Sequence, residues 1–382
     1  MNTYAERMTA FQRLIRGRAD LVYIPMGTDL DYLTGIHRDI PSWGRNLHPG
    51  MWLEGAWLSP DHEPILTIPR MTAEFGAQGG MEGLDVRVLG DWDDPVKLVK
   101  GILAEFGIKN GARIATSDNA DAESLMELQK LVAQASFGSA TEILRELRVI
   151  KSPSEIETMR EAGRITEAAF SDVIKQLKIG MTELDIVSEV DYQLRRHGSL
   201  GPSFTTSLYN TGPNHKILFG RRLQSWPRVL TAPVSVLFDF GAVHDGMCYD
   251  FGRTVSFGAP NAEQTKVHGL IMASQRAGIE ALKAGAVTCA EVDRIAREVI
   301  ADAGYGDKFR HRLGHAIGWD VHEPPFLTAG DETIVREGMI FTIEPSIFQE
   351  GDFSARIEDC VIAREGGGEP ITKGWQELIV IE

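Results

Sequence analysis

The stretch VSVLFDFGAVHDGMCYDFGRT, Val234 to Thr254, decides how the rest of the chain is read. Val234 to Phe240 is an apolar run that predicts a buried strand, and Cys248 to Val255 predicts a second extended segment. Between them His244-Asp245-Gly246 is a turn signal, and Asp-Gly flanked by apolar runs marks a hairpin. Asp239 and Asp250 lie 11 residues apart, on either side of that turn, so folding it back brings two carboxylates onto neighbouring strands. Read alone, they could be solvated turn acids, yet both abut apolar strand residues. Two anions in such surroundings repel and lose hydration. A cation between them is expected, and a metal ion is the simplest.

Further pieces lie towards the C-terminus. His311 to Glu323, HRLGHAIGWDVHE, is rich in His and Gly, unlike ordinary core sequence. It is followed by Phe341-Thr342-Ile343-Glu344-Pro345 and by Arg356-Ile357-Glu358-Asp359. Glu344 and Glu358 are 14 residues apart with Gly351-Asp352 midway, so they too can face each other across a hairpin. Alone they read as a strand-surface pair, and His315 alone as a packed core histidine. Together, two acid pairs and one imidazole make a ligand set of Asp239, Asp250, His315, Glu344 and Glu358. Four carboxylates balance two divalent cations, and oxygen-rich sites with a single imidazole suit Mn, Fe(II), Co or Zn.

From about Leu144 onward the chain resembles the pita-bread metallopeptidases, which include prolidase, aminopeptidase P and methionine aminopeptidase, with creatinase as a metal-free relative. The ligand order Asp, Asp, His, Glu, Glu is matched at all five positions, with Glu358 rather than Asp359 as the last. The resemblance implies a fold of mixed α and β structure (α+β). A creatinase-like N-terminal α/β domain over residues 1–143 would precede a pita-bread catalytic domain over residues 144–382. It implies a hydrolase that cleaves Xaa-Pro dipeptides or N-terminal Xaa-Pro bonds through a hydroxide bridging two metal ions; a cytoplasmic location is expected separately, from the lack of a signal core and of a membrane-length apolar run. Manganese is the first choice of metal, then Co, Zn or Fe. Glu344 would act as proton shuttle as well as ligand, and His322 would hydrogen-bond the bound carbonyl or tetrahedral intermediate. Arg356 would hold Glu358 or a substrate carboxylate. His311 is expected to pack, or to hydrogen-bond behind the ligands.

One position departs from the prolidase pattern. Phe219-Gly220 stands where relatives have a histidine before glycine, with His215 nearby as a substitute, and this leaves the substrate open. A non-peptidase hydrolase or lyase acting on a small amide or zwitterion is therefore an alternative. A catalytically silent binding protein on the same fold is another, although it would have no need of five ligands. The segment Gly35 to Trp52, GIHRDIPSWGRNLHPGMW, is punctuated by Gly and Pro and reads as a loop. It could be merely solvated. In dimeric relatives the N-terminal domain reaches over the neighbouring subunit's site, which would make Arg38, Trp43 and Arg45 substrate-side residues of a homodimer.

Composition narrows the partners. A net charge of −15 over 382 residues disfavours nucleic acid and anionic membranes, because phosphate binding needs basic patches. Hydrophobic content of 43% and charged content of 24% are those of a globular protein with well-buried cores. The three cysteines, Cys248, Cys289 and Cys360, are scattered and imply no disulfide framework. Cys248 and Cys360, beside the ligand hairpins, read as packed thiols. Nothing near the first residues resembles a signal core, and no apolar run reaches membrane-spanning length.

Apolar spacing and, for three of them, capping signals predict the helices. The expectations are helices within Thr3–Arg16, Asp94–Phe106 and Ala122–Ala133, and a long one to Leu177 opened by Ser154 with Glu157. Others follow Thr182 with Asp185, span Glu263–Leu282, and start at Thr288 with Glu291. Helices then an acid-bearing hairpin, twice over, suggest two related halves.

Overall fold

The computed structural model describes residues 3–38, 48–76, 84–218 and 220–382. The chain divides into two compact units, Met1–Arg148 and Val149–Glu382. The boundary expected at 143/144 falls inside the last helix of the first unit.

That unit runs α1 (Tyr4–Ile15), β1 (Leu21–Pro25), α2 (Thr28–Thr34), β2 (Gly55–Leu58), β3 (Ile65–Pro69), β4 (Asp85–Leu89), α3 (Pro95–Glu105), β5 (Arg113–Thr116), α4 (Ala122–Leu131), β6 (Ser136–Ser139) and α5 (Ala140–Arg148). Its strands form one mixed sheet in the order β4-β3-β2-β1-β5-β6. Thr3 closes a capping box with Glu6 at the start of α1, and Asp94 caps α3 through the amides of Val96 and Lys97. Trp57, Tyr23, Leu21 and Ile114 pack with Val99 and Ile102 of α3 in a common core. Buried Asp29 accepts from Ser117, Thr141 and Arg148, which ties the end of α5 to this unit.

The second unit runs α6 (Pro153–Gln176), α7 (Glu183–Arg196), β7 (Ser207–Thr211), α8 (Arg222–Ser225), β8 (Val234–Phe240), β9 (Val243–His244), β10 (Met247–Cys248), β11 (Phe251–Phe257), α9 (Ala262–Ala281), α10 (Cys289–Asp302), β12 (Gly314–Ala316), β13 (Glu323–Leu327), β14 (Ile340–Ile343), β15 (Ser346–Ile347), β16 (Ala355–Arg356), β17 (Asp359–Ile362), β18 (Glu369–Pro370) and β19 (Ile379–Ile381). One sheet has the order β19-β11-β8-β7 and another β13-β12-β14-β17-β18. The N-cap of α6 is Ser152 with Glu155, two residues before the expected Ser154 with Glu157. Both pairs fit the capping-box spacing, but only Ser152 puts Pro153 in the first helical turn, where its missing N–H costs nothing. Thr182 with Asp185 and Thr288 with Glu291 cap α7 and α10 as their spacing predicts.

Two helices followed by a hairpin recur along this unit, each hairpin backed by its own core. Behind the first, Phe170 of α6 lies 5.3 Å from Phe238, 5.9 Å from Phe240 and 5.4 Å from Phe251, ring centre to ring centre. Truncating so enclosed an aromatic costs about 3–5 kcal/mol. Behind the second, Phe341, Ile343, Ile357 and Val361 join Ile271 of α9 and Val292 of α10. Among the described residues, no helix is long and apolar enough to cross a membrane.

Candidate active site

Strand alternation aims the acids away from these cores. Phe238 and Phe240 face Phe170, so Asp239 between them takes the other face of β8. In the β8–β11 register Asp239 pairs with Gly252, which makes Asp250 its diagonal neighbour on that face. The reversal is made by Asp245 and Gly246, with φ of 43° and 76°, the left-handed pair a two-residue hairpin turn needs. In the second hairpin the pairs Ile343–Asp359 and Ser346–Arg356 flank Glu344 and Glu358, which therefore stand opposite each other.

A two-way backbone bridge joins the hairpins, Gly252 N–H to the Glu358 carbonyl at 3.2 Å and Glu358 N–H to the Gly252 carbonyl at 3.0 Å. Glycine permits that approach, since a Cβ at 252 would stand 3.1 Å from the Glu358 Cβ. Buried Arg253 fastens the junction. Its Nη1 donates to the carbonyls of Gly252 and Glu358, both at 2.8 Å, and its Nη2 to Asp359 Oδ1 at 2.8 Å. His315 arrives from β12, which pairs with β14. A Cβ at Gly314 would meet the Thr342 carbonyl oxygen at 1.9 Å, so β12 lies against β14 only because position 314 has no side chain.

All five expected ligands converge. Ligand atoms of Asp239, Asp250 and Glu358 lie within 4.8 Å of one another, as do those of His315, Glu344 and Glu358. His315 Nδ1 is 3.1 Å from the Ala316 carbonyl. The Nδ1 proton is thus engaged, and the Nε2 lone pair is left 3.7 Å from Asp250 Oδ2 and 3.5 Å from Glu344 Oε1. Burial pushes the His315 pKa down to about 4, so the ring is a neutral donor atom at pH 7. Arg356 sits among the acids, with Nη2 2.6 Å from Glu344 Oε2 and 2.7 Å from Glu358 Oε2, and Nη1 bound to Asp239.

One guanidinium does not balance four carboxylates. Burial, then the neighbouring Asp239 charge, raises Asp250 well above the ordinary carboxylate range, and burial does the same to Glu358. For Glu344 burial also pushes upward, but Arg356, His315 and His311 outweigh it and hold the group low. Among the described residues, buried Asp250 Oδ1 and both Glu358 oxygens accept no well-directed hydrogen bond; the Arg356 contact to Glu358 is an ion pair without that alignment. Unsatisfied buried oxygens facing a neutral imidazole nitrogen are a donor set that fits divalent cations.

Asp239, Asp250, Glu344 and Arg356 form the floor of a cavity of about 1060 Å³, with Tyr209, His311, His322, Phe326 and Phe348 among its walls. His322 stands beside His315, ring centres 3.9 Å apart. His311, in that wall, hydrogen-bonds Ser346 Oγ at 2.6 Å and the Arg312 carbonyl at 2.7 Å. His215 is buried, its Nε2 3.4 Å from both the Val229 carbonyl and the Thr231 amide, and it is not among the cavity-lining residues. Phe219, Trp43 and Arg45 lie outside the described residues. Arg38 belongs to the first unit, where its Nη1 donates to Thr28 Oγ1 at 2.6 Å and its Nε is 3.7 Å from Asp31. Sequence reasoning missed Tyr209, Arg222 and Arg312 in the cavity wall. Arg312 was within reach, since it lies inside the His/Gly segment.

Residues 157–365 match the model of metallopeptidase family M24, and residues 7–150 that of the creatinase/prolidase N-terminal domain. The chain belongs to metallopeptidase family M24. This M24 chain is 31% identical over 364 residues to the Xaa-Pro dipeptidase of Lactobacillus helveticus, covering 95% of each chain. Among solved structures, the dipeptidase from Pyrococcus horikoshii OT3 superposes with a TM-score of 0.85 at 30% identity, covering 98% of this chain and 100% of that one. The recombinant prolidase from Thermococcus sibiricus gives a TM-score of 0.85 at 27% identity, covering 99% of each. The family and the α/β fold class expected from the sequence are both borne out, and the M24 protein is a metallopeptidase.

Proposed function

We propose that this metallopeptidase hydrolyses Xaa-Pro dipeptides or the Xaa-Pro bond at a peptide N-terminus, using two divalent cations held by Asp239, Asp250, His315, Glu344 and Glu358. The observation that carries the reading is the convergence of these five groups, with Asp239, Asp250 and Glu344 lining a cavity and buried carboxylate oxygens left unsatisfied. The Xaa-Pro preference is supported by likeness to a relative named Xaa-Pro dipeptidase over 95% of both chains. Manganese is the preferred metal, with cobalt, zinc or iron as alternatives.

Cations held by these five residues would supply a water acidic enough to act near neutral pH and would polarise the acceptor carbonyl. The chain's own residues do the rest. Glu344, held low by Arg356 and two histidines, is a carboxylate able to take a proton from the attacking water and pass it to the leaving amine. His322, in the wall above the floor, hydrogen-bonds the carbonyl oxygen as negative charge develops there. Arg356 holds Asp239, Glu344 and Glu358 in one arrangement. We extend the proposal to a homodimer in which the segment around Arg38, Trp43 and Arg45 completes the partner's site.

The test is a panel of Xaa-Pro dipeptides, Xaa-Pro-Xaa tripeptides and proline-free dipeptides, each run with added Mn, Co or Zn. Turnover confined to the proline peptides is expected. Cleavage of proline-free dipeptides alone, or of none, would overturn the assignment.

A further inference from the structure

His322 is drawn two ways by its surroundings. A ring nitrogen of it lies within 4.8 Å of ligand atoms on Asp250 and His315, the spacing of a third metal ligand. Its other neighbour is a cation: Arg312 Nη2 stands 3.1 Å from His322 Nδ1. Arginine has five N–H donors, no acceptor, and no accessible neutral form. A hydrogen bond between these two atoms therefore has one sense, with Arg312 donating and Nδ1 accepting. An accepting Nδ1 carries no proton, so the single proton of the neutral ring is on Nε2.

The guanidinium is braced for this contact. It lies over the Phe326 ring, 4.8 Å from its centre. Phe326 belongs to β13, which pairs with the His315 strand. The side chain that fixes the His322 proton is thus steadied by a residue paired with a candidate ligand.

We infer that Arg312 is a positioning residue that locks His322 in the Nε2–H form, making it a hydrogen-bond donor to substrate and withdrawing it from the metal-ligand set. The inference deepens the proposed function and rests on its assignment of His322 to the substrate side. With Nδ1 occupied and Nε2 protonated, the ring has no lone pair for a cation and none for accepting a proton. His322 is then neither sixth ligand nor general base, and proton removal falls to Glu344.

The experiment replaces the donor by another donor, Arg312→Lys, and by an acceptor, Arg312→Glu. The readout is two-bond ¹H–¹⁵N correlation spectra of the full chain labelled with [¹⁵N]histidine, metal-free and zinc-loaded, at pH 8, with His322 assigned through His322→Gln. We expect Nδ1 unprotonated and Nε2 protonated in the parent and the Lys variant, with and without zinc, and the proton moved to Nδ1 in Arg312→Glu. With an Xaa-Pro dipeptide, kcat should stay within about threefold in Arg312→Lys. In Arg312→Glu it should fall by about 10²–10³ with little change in KM, as when a donor to a developing oxyanion is lost. A protonated Nδ1 in the parent, zinc-dependent deprotonation of Nε2, or an unchanged tautomer in Arg312→Glu overturns the inference. If no proline peptide is cleaved, the proposed function fails, while the spectra still decide the tautomer. If Arg312→Glu does not fold, the parent and Lys spectra decide it.

Discussion

Lys151 and Glu323 form a buried ion pair that holds the His322 loop, and Lys151→Met removes one charge while keeping side-chain length. Nζ lies 2.9 Å from Glu323 Oε2, and the side chains are 0% and 7% exposed. The other carboxylate oxygen accepts the Asp320 amide at 3.0 Å, and a Cβ at Gly318 would stand 2.5 Å from Lys151 Cε, so the loop from Gly318 to Glu323 rests on this lysine. Removing one partner of so buried a pair leaves the other charge uncompensated, at a cost of about 3–5 kcal/mol. At about 2–4 °C per kcal/mol for a unit of this size, melting should fall by roughly 6–20 °C. Glu323→Gln in the same chain removes the stranded charge, so the double variant should regain at least half of the loss. The assay is urea and thermal unfolding of the full chain at fixed metal concentration. A single-variant loss below about 1 kcal/mol, the size of an exposed bridge, would refute the reasoning. So would a double variant no more stable than the single.

Other outcomes follow from the same geometry. Stripping divalent cations should lower the melting temperature, by about 2.7 kcal/mol of stability where free metal had been at a hundred times its dissociation constant; unchanged melting in chelator refutes a carboxylate cluster that needs cations. Gly314→Ala forces a methyl against the Thr342 carbonyl and should cost about 1–3 kcal/mol and weaken metal binding through His315, measured by melting and calorimetric titration. His268 on α9 has its pKa pushed by burial, and then by the Arg253 charge, from 6.5 to about 4. The unfolded chain takes up this proton first, so stability drains as pH falls from 6.5 towards 4. His268→Gln should reduce the loss between pH 7 and pH 5 by about 2 kcal/mol, and an unaltered pH profile of unfolding would contradict that.

The convergence of the acid pairs was legible in the sequence because its signals are local. Asp239 and Asp250 straddle an Asp-Gly turn inside apolar strands, and Glu344 and Glu358 straddle Gly351-Asp352, so periodicity and turn chemistry place each pair. The helix caps at Thr182 and Thr288 are local in the same way, while Ser152 and Ser154 compete two residues apart and Pro153 had to be weighed to choose. What was not legible depends on segments that meet only in the folded chain. Arg356 reaches Asp239 across 117 residues, and Lys151 reaches Glu323 across 172. Arg312 is ten residues from His322, but its contact depends on the bulged pairing of β12 with β13. No period or cap announces such meetings.

The bridge between Gly252 and Glu358, with Arg253 across it, bears on how ions would reach and leave the acid cluster. Parting the hairpins would break two amide–carbonyl bonds and free a guanidinium held at both carbonyls and at Asp359, a step on the scale of unfolding the unit. Ion traffic should instead pass through the mouth of the cavity while this seam stays shut. The amide protons of Gly252 and Glu358 then report on the seam alone. They should be among the slowest in the unit to exchange with heavy water, and removing the ions should quicken them only in step with the sheets around them.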